Sequence, residues 1–495
     1  MKIRITALVL LMSMLLTLAA CSSDTGDDAA VTTVTEAAET ETETEETTAD
    51  AFEADGLPDL DFGGKRVSIY VRGDTIDTEF TADNDGDIVN DALYTRNMKV
   101  EERLNVDLNI FANTTTDFWG QREIYMNTVI AAVMAGDKSI DIAGGLSVLH
   151  PIMIQNDIFF DMLGDGMEHL EFTRPWWSTS LIDKLAVGGR LYLASGEASL
   201  GVIKGMMCFL FNKKQISDFG LDDPYKLVTD GKWTLDALRE MSAVAYQDLN
   251  GDGAVDVGDN FGLVIDNENH AVNFTTACGL TPMSYDSEGV PHFDMASEKF
   301  VDVMDRCKEM VEWDSSAVNF DNKREYAEAF PSGRAMFITA EFASVVIFRD
   351  SDTDFGVIPF PKYDEAQDRY ITTPRSTFSA FSIPITADKE ITSAVLEAFA
   401  SESYRTVSPA YFESALKVKY SRDEISAQMF DIIKGGVEYD FGLTSAQMLK
   451  AFNVTLRGVI CGSNKSNWTT VLAANQSSYD AALEAYLETL MSLKN

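Results

Sequence analysis

Twelve residues, Asp248-Leu-Asn-Gly-Asp-Gly-Ala-Val-Asp-Val-Gly-Asp259, constrain this chain more than any other stretch. Oxygen-bearing side chains stand at Asp248, Asn250, Asp252, Asp256 and Asp259, which are positions 1, 3, 5, 9 and 12 of a loop. Gly253 holds position 6, where such a loop turns too sharply for most residues. Ala254, at position 7, offers a backbone carbonyl, and Val255 is expected to tuck an apolar side chain into the domain. A hard cation such as Ca²⁺ takes six to eight oxygens in flexible geometry, and this spacing supplies them from one turn. The competing reading is an acidic, glycine-rich turn without metal. Five oxygen side chains in register with the glycine favour structural calcium.

The loop departs from the EF-hand pattern at position 12, where Asp259 replaces the usual bidentate Glu. A shorter carboxylate there resembles dockerin-type loops.

The first 21 residues have the layout of an export signal. Lys2 and Arg4 precede a mainly apolar run from Ala7 to Leu18, and Leu18-Ala-Ala-Cys21 closes it. The run is shorter than the ~20 apolar residues of a membrane span. Small residues ending on a cysteine resemble the bacterial lipobox, which implies that the Cys21 thiol is lipidated and becomes the first mature residue. The expected location is the outer face of the cell membrane, with the lipid as the only membrane contact.

Residues 22–56 read as a disordered tether of Ser, Thr, Ala, Asp and Glu. Between positions 22 and 55 there are twelve acidic and no basic residues, so the segment buries little apolar surface and its like charges extend it. The remaining ~440 residues are enough for a large core in at least two lobes. A formal charge of −40 argues against nucleic acid as a partner. Cys208, Cys278, Cys307 and Cys461 have neither zinc spacing nor the density of a disulfide scaffold, and four small buried hydrophobes is the simpler reading.

Strands alternate with helices from the start. Residues 64–72 alternate in hydropathy and read as a strand, 87–104 has helical spacing, 106–111 returns to strand and 118–134 to helix. Ser139–Ala143 is a short strand before Gly144-Gly145. Met206–Phe211 is a buried strand, Trp233–Tyr246 a helix capped by Thr234, and Phe261–Ile265 the strand leaving the calcium loop. Such alternation predicts an α/β fold with a mostly parallel sheet.

Several short motifs then follow in one order: Phe211-Asn-Lys-Lys, Gly220-Leu-Asp-Asp-Pro-Tyr225, Gly231-Lys-Trp-Thr234, the calcium loop, and Phe261-Gly262. Gly333…Ala335-Met336-Phe337, Phe355-Gly-Val-Ile-Pro-Phe-Pro-Lys362 and Ser382-Ile-Pro384 continue the series. Their order resembles the extracellular solute-binding proteins of carbohydrate ABC importers, the family-1 group that contains maltose-binding protein, over about 57–495. The resemblance implies the two-lobe periplasmic-binding-protein-like fold with three interlobe crossings. Lobe 1 is then 57–197 plus 378–405, and lobe 2 is 205–377 plus 406–495. It also implies a monomer that delivers a carbohydrate to ABC permease subunits by hinge closure.

Enzyme signatures are missing from the sequence: there is no G-x-S-x-G, H-E-x-x-H or P-loop, and the four histidines are dispersed. The expected activity is binding without catalysis. In open α/β sheets ligands sit beyond the carboxyl ends of strands, which points to Arg72 and Asp74 after the first strand and to Gly145 and Ser147 after the strand at 139–143. The family resemblance adds Glu197, Glu341 and Arg375. A late tryptophan stacks on ligand in the maltose-binding relatives, which favours Trp468; Trp119 is a further candidate. Other readings are a cell-surface polysaccharide-binding or sensing module, a receptor for a peptide or polyamine, and a hydrolase with a concealed carboxylate pair.

Overall fold

The computed structural model describes residues 54–113, 118–313, 315–319, 325, 326, 328–348, 351–412 and 424–494, all within one compact unit. Cys21 and most of the expected tether lie outside these residues. The tether's expected end at residue 56 falls late, because Asp55 is already buried and accepts from Arg103 Nε at 3.0 Å. Two main sheets carry the fold.

The first sheet contains β1 (Lys65–Val71), β2 (Val106–Ala112), β3 (Ile142–Leu146) and β11 (Ser379–Ser382), in the order β11-β3-β1-β2. The first three strands are parallel, and Ile110, Ile69 and Ile142 form one cross-sheet row. The helix Ile88–Leu104 connects β1 to β2. Asp87 caps it by accepting from Val89 N and Asn90 N, and Asn105 ends it at φ +49°. β3 begins three residues later than the sequence suggests and takes in both glycines. A Cβ on Gly144 would meet Phe381 and Val71 at 3.1–3.2 Å, and one on Gly145 would meet the Tyr125 ring at 2.5 Å. Glycine continues this strand because aromatic side chains pack directly on its backbone.

The second sheet contains β4 (Met207–Asn212), β5 (Phe261–Ile265), β8 (Ser316–Val318), β9 (Ala335–Glu341) and β10 (Phe355–Ile358), in the order β10-β4-β9-β5-β8. β5 runs parallel to β8 and β9, while β4 is antiparallel to β9 and β10. Every residue of β4 and β5 is buried, as strands covered on both faces require. Thr234 Oγ1 accepts from Ala237 N at 3.3 Å and caps the helix Leu235–Ala243, which leads toward the acidic loop. A hairpin of β6 (Met283–Tyr285) and β7 (Pro291–Phe293) stands apart from both sheets.

The chain passes between the sheets three times. It leaves β3 for β4 through residues 197–206, returns from β10 to β11 through 373–378, and runs on from the helix Lys389–Glu402 through 403–412. The described residues of the last part, 424–494, are mainly helical and end in Trp468–Ser492. All four cysteines of the folded part are buried and unpaired. Among the described residues no helix is long and apolar enough to cross a membrane.

One buried acid ties the first lobe's loops to a late helix. Glu397 Oε1 accepts from Trp176 Nε1 at 2.9 Å, and its Oε2 accepts from Trp177 Nε1 at 2.7 Å and Glu171 N at 3.2 Å. The adjacent tryptophans are thus both core residues that share one carboxylate. Burial pushes the Glu397 pKa up to about 7, against the opposing pull of these hydrogen bonds. The unfolded carboxyl titrates near 4.5, so the folded state holds its proton more tightly. The stability linked to that proton is fully present below pH 4.5 and declines as pH rises through about 7. The expected loss is about 3 kcal/mol across that window. Chemical denaturation at a series of pH values checks this, and Glu397→Gln should flatten the slope; an unchanged slope would count against it.

Candidate ligand-binding cleft

A cleft of about 620 Å³ opens where the carboxyl ends of β1, β3 and β5 come together, with the segment 438–447 and residues 453–457 of the helix Phe452–Ile460 along one side. Arg72, just beyond β1, is held from three directions. Its Nε and Nη2 donate to the Asp74 carboxylate at 2.7 and 2.6 Å, and its Nη1 donates to Thr377 O at 2.6 Å. The guanidinium also lies over the Phe118 ring, 5.5 Å from the centroid. The first wall thereby grips the returning segment before β11.

Beside it stands Trp119. Its side chain lines the cleft at 48% exposure, and the Arg122 guanidinium supports the ring at 4.8 Å from its centroid. An exposed indole backed by a cation is a rigid apolar plate at a wet opening.

The opposite wall is built from residues 267–273, which follow β5. Buried His270 places Nδ1 at 3.0 Å from Thr339 Oγ1 and Nε2 at 3.6 Å from Glu341. Glu341, at the end of β9, also pairs with Arg375 at 3.3 Å. Burial pushes the Glu341 carboxyl up, but the His270 hydrogen bond and the charges of Arg375 and His270 outweigh it, leaving the pKa below its ordinary value. Further along, Arg457 pairs with Glu268 at 3.0 Å and donates to Asn269 Oδ1. Arg72, Arg375 and Arg457 therefore each face an acid, Asp74, Glu341 and Glu268 respectively. Asp440 caps the turn at 441–444 by accepting from Leu443 N at 2.8 Å, and burial pushes its pKa up to about 6.

The expected site residues separate into groups. Arg72, Asp74 and Arg375 line the cleft, and Glu341 stands directly behind Arg375. Gly145 and Ser147 lie beneath the floor: Gly145 is covered by Tyr125, and the buried Ser147 donates to Ser376 O at 2.7 Å. The side chains that reach the lining at the end of β3 are instead those of Leu146 and Val148, both otherwise buried. Glu197 lies outside the lining and accepts from Ser408 Oγ, with Lys434 Nζ at 3.8 Å. Trp468 is corrected outright. It is 0% exposed, donates from Nε1 to Met295 O at 2.8 Å and packs on Phe300, so it anchors the last helix to the second lobe. Sequence reading missed the wall at 267–273 and the contributions of Gln447, Asn453 and Arg457. The strand-end rule, carried through to β5, points to the first of these; helices arriving from 200 residues downstream leave no comparable local signal.

The acidic loop is an ordered turn. Asp248 accepts from Gly251 N at 2.6 Å and Gly253 N at 2.9 Å, and Gly253 takes φ +75° as its position requires. Asn250 Nδ2 donates to Asp252 Oδ2 and Asp256 Oδ2, both at 3.1 Å, drawing the two carboxylates together. Asp259 is fully buried and accepts from Tyr246 OH, Leu249 N and Asp256 N, which closes the loop on itself. Among the described residues no three His, Cys, Asp or Glu side chains are grouped as a metal site. The loop's donors are nonetheless all oxygens, a set that suits a hard cation if Asn250 presents its Oδ1 inward. Val255 does not tuck inward: it is 43% exposed, because Asp259 and not Val255 pins the loop to the domain.

The amino-acid sequence matches no protein-family model and no curated protein. The fold does have solved counterparts. The cyclic alpha-maltosyl-1,6-maltose binding protein from Arthrobacter globiformis aligns with TM-score 0.53 at 13% identity, over 87% of this chain and 99% of that one. The galacto-N-biose-/lacto-N-biose I-binding protein of the Bifidobacterium longum ABC transporter, in complex with lacto-N-biose, gives 0.53 at 12% identity, over 87% and 98%. An ABC substrate-binding protein from Listeria monocytogenes, in complex with cycloalternan, gives 0.51 at 12% identity, over 87% and 100%. The likeness is one of architecture, the two-lobed α/β arrangement of the binding-protein fold.

Proposed function

We propose that this chain is a receptor outside the cell, anchored through a lipid on Cys21, that takes a neutral carbohydrate into the cleft and hands it to an ABC importer. The observation that carries the substrate class is the charge pairing of the cleft. Arg72, Arg375 and Arg457 each meet an acid of the same cleft or just behind it, so an anionic ligand would have to break an existing pair, and the lining carboxylate of Asp440, outside those pairs, is buried as the cap of 441–444. What the cleft offers beside those pairs is a supported indole face at Trp119 and amide side chains at Asn269, Asn273, Gln447 and Asn453. An apolar plate beside amides suits the C–H face and the hydroxyls of a sugar ring. The structural counterparts named above, which are described as binding sugars, support the same class.

The mechanism is closure and release, with no covalent step. Ligand that touches both walls binds the closed arrangement better than the open one, and that difference in affinity shifts the population. The importer then recognises the closed form. In the second lobe we assign Ca²⁺ to Asp248, Asn250, Asp252, Asp256 and the Ala254 carbonyl, with Asp259 completing position 12. Its role is to brace the lobe at a distance from the cleft.

Thermal melting of the protein against neutral mono- and oligosaccharides, spermidine and short peptides tests the substrate class. Binding to the folded state stabilises it by about 2.7 kcal/mol at roughly a hundred times Kd, so a matching sugar raises Tm by a measurable step. A rise with spermidine or peptide and none with any sugar would refute the carbohydrate reading. For the metal, Asp252→Ala should lower Tm in calcium buffer and abolish the difference between calcium and chelator, while sugar affinity stays within about twofold. Retention of the full calcium shift by that variant would remove the assignment.

A further inference from the structure

Glu79 sits in the turn Ile76–Phe80 after β1, 2% exposed and far down in the protein. Its Oε1 accepts from Ser199 Oγ at 2.7 Å and Gly201 N at 3.1 Å, and its Oε2 accepts from Ser379 Oγ at 2.9 Å and Thr75 Oγ1 at 3.1 Å. A carboxylate has about four acceptor sites, and all are taken. Three of the donors lie in, or directly at the first-lobe end of, segments that carry the chain between the sheets. Ser199 and Gly201 lie in the first passage, and Ser379 opens β11 at the end of the second.

The third passage is reached through Arg96. This guanidinium is fully buried, lies 3.8 Å from the centroid of the Phe399 ring, and donates to Glu79 O at 3.3 Å, Phe80 O at 2.6 Å and Ser403 Oγ at 3.5 Å. Ser403 begins the stretch that leaves the helix Lys389–Glu402. Gly201 is fitted to the same contact, since a Cβ there would stand 3.1 Å from Glu79 Oε1. Lys204 adds a bond from its Nζ to Thr78 O at 2.7 Å.

We propose that Glu79, with Arg96 behind it, is the positioning residue of the hinge. It clamps the first-lobe ends of all three passages to β1's turn. Bending is thereby confined to the far side of the clamp, where Arg375 N donates to Gly205 O at 2.7 Å and Met207 N to Thr373 O at 3.3 Å. Hinges are a few element-terminal residues that absorb the change in φ and ψ, and a fixed boundary on one side determines which residues those are. Hydrogen bonds to a buried charge are the strong kind, so a carboxylate serves here better than a neutral acceptor. Glu79 touches no ligand in this scheme; it sets how far and about which residues the lobes swing.

The test uses the full chain without ligand, so its outcome does not depend on what the cleft binds. Hydrogen–deuterium exchange is compared between wild type, Glu79→Gln, which keeps the shape but removes the charge, and Ser379→Ala, which removes one donor. Amides 199–206 and 373–380 should exchange about tenfold faster in Glu79→Gln and about threefold faster in Ser379→Ala. Amides of β5 and β9 should keep their protection. Spin labels on Met134→Cys and Val244→Cys, exposed positions beside the first and second sheets, should report a broader distance distribution in both variants. Should Glu79→Gln fail to fold, Ser379→Ala decides alone. Unchanged exchange in 199–206 and 373–380, loss of protection spread equally through β5 and β9, or a wild-type distance distribution would each overturn the proposal.

Discussion

The first sheet is incomplete until residues 379–382 return to it. β3 is flanked by β1 on one side only, and its other edge would present unpaired N–H and C=O groups in the interior. β11 covers that edge, antiparallel and in register from Ser379 opposite Leu146 to Ser382 opposite Ala143. Because the covering strand comes from more than 200 residues downstream, the chain must build the whole second sheet and then cross back. The first two crossings and the cleft between the sheets follow from that one unfilled edge.

The cleft divides its polar groups between holding and receiving. Arg72 is largely occupied with Asp74 and Thr377, and so ties β1's end to the segment that leads into β11. Arg375, His270 and Glu341 form a chain of contacts from the crossing segment to β9. These pairs keep like charges from meeting in a low-dielectric crevice, where an unpaired ion is costly. In the proposed reading, Trp119 and the rim amides of Gln447 and Asn453 meet the ligand. The acidic loop, in the second lobe after the helix Leu235–Ala243, is a separate local structure whose Asp259 is buried and whose other carboxylates bond to the loop's own amides.

Much of the fold was legible because its signals are local. Thr234 caps its helix, β1 and β5 alternate or run apolar as buried strands do, and the cysteines read as small hydrophobes. The order of the short motifs suggested two lobes and three crossings. What failed were readings that needed a distant partner. The indole of Trp468 looked available until Met295 and Phe300 covered it. Ser147 lies at a strand end as expected, yet its hydroxyl is committed to Ser376, 229 residues away. Glu397 and the Trp176–Trp177 pair gave no sign in sequence of meeting each other. Val255 follows the loop pattern in sequence but not in burial, since the loop is held by a carboxylate instead.

A ligand held between the walls must depend on both of them. Calorimetric titration with the sugar that melts highest should therefore compare wild type with Trp119→Ala on the first wall and Asn269→Ala on the second. Each side chain is exposed, and Arg457, which loses its bond to Asn269, keeps its pair with Glu268. Both substitutions should weaken binding by about tenfold, with Tm of the free protein nearly unchanged. Wild-type affinity in both variants would place the ligand elsewhere and contradict the account.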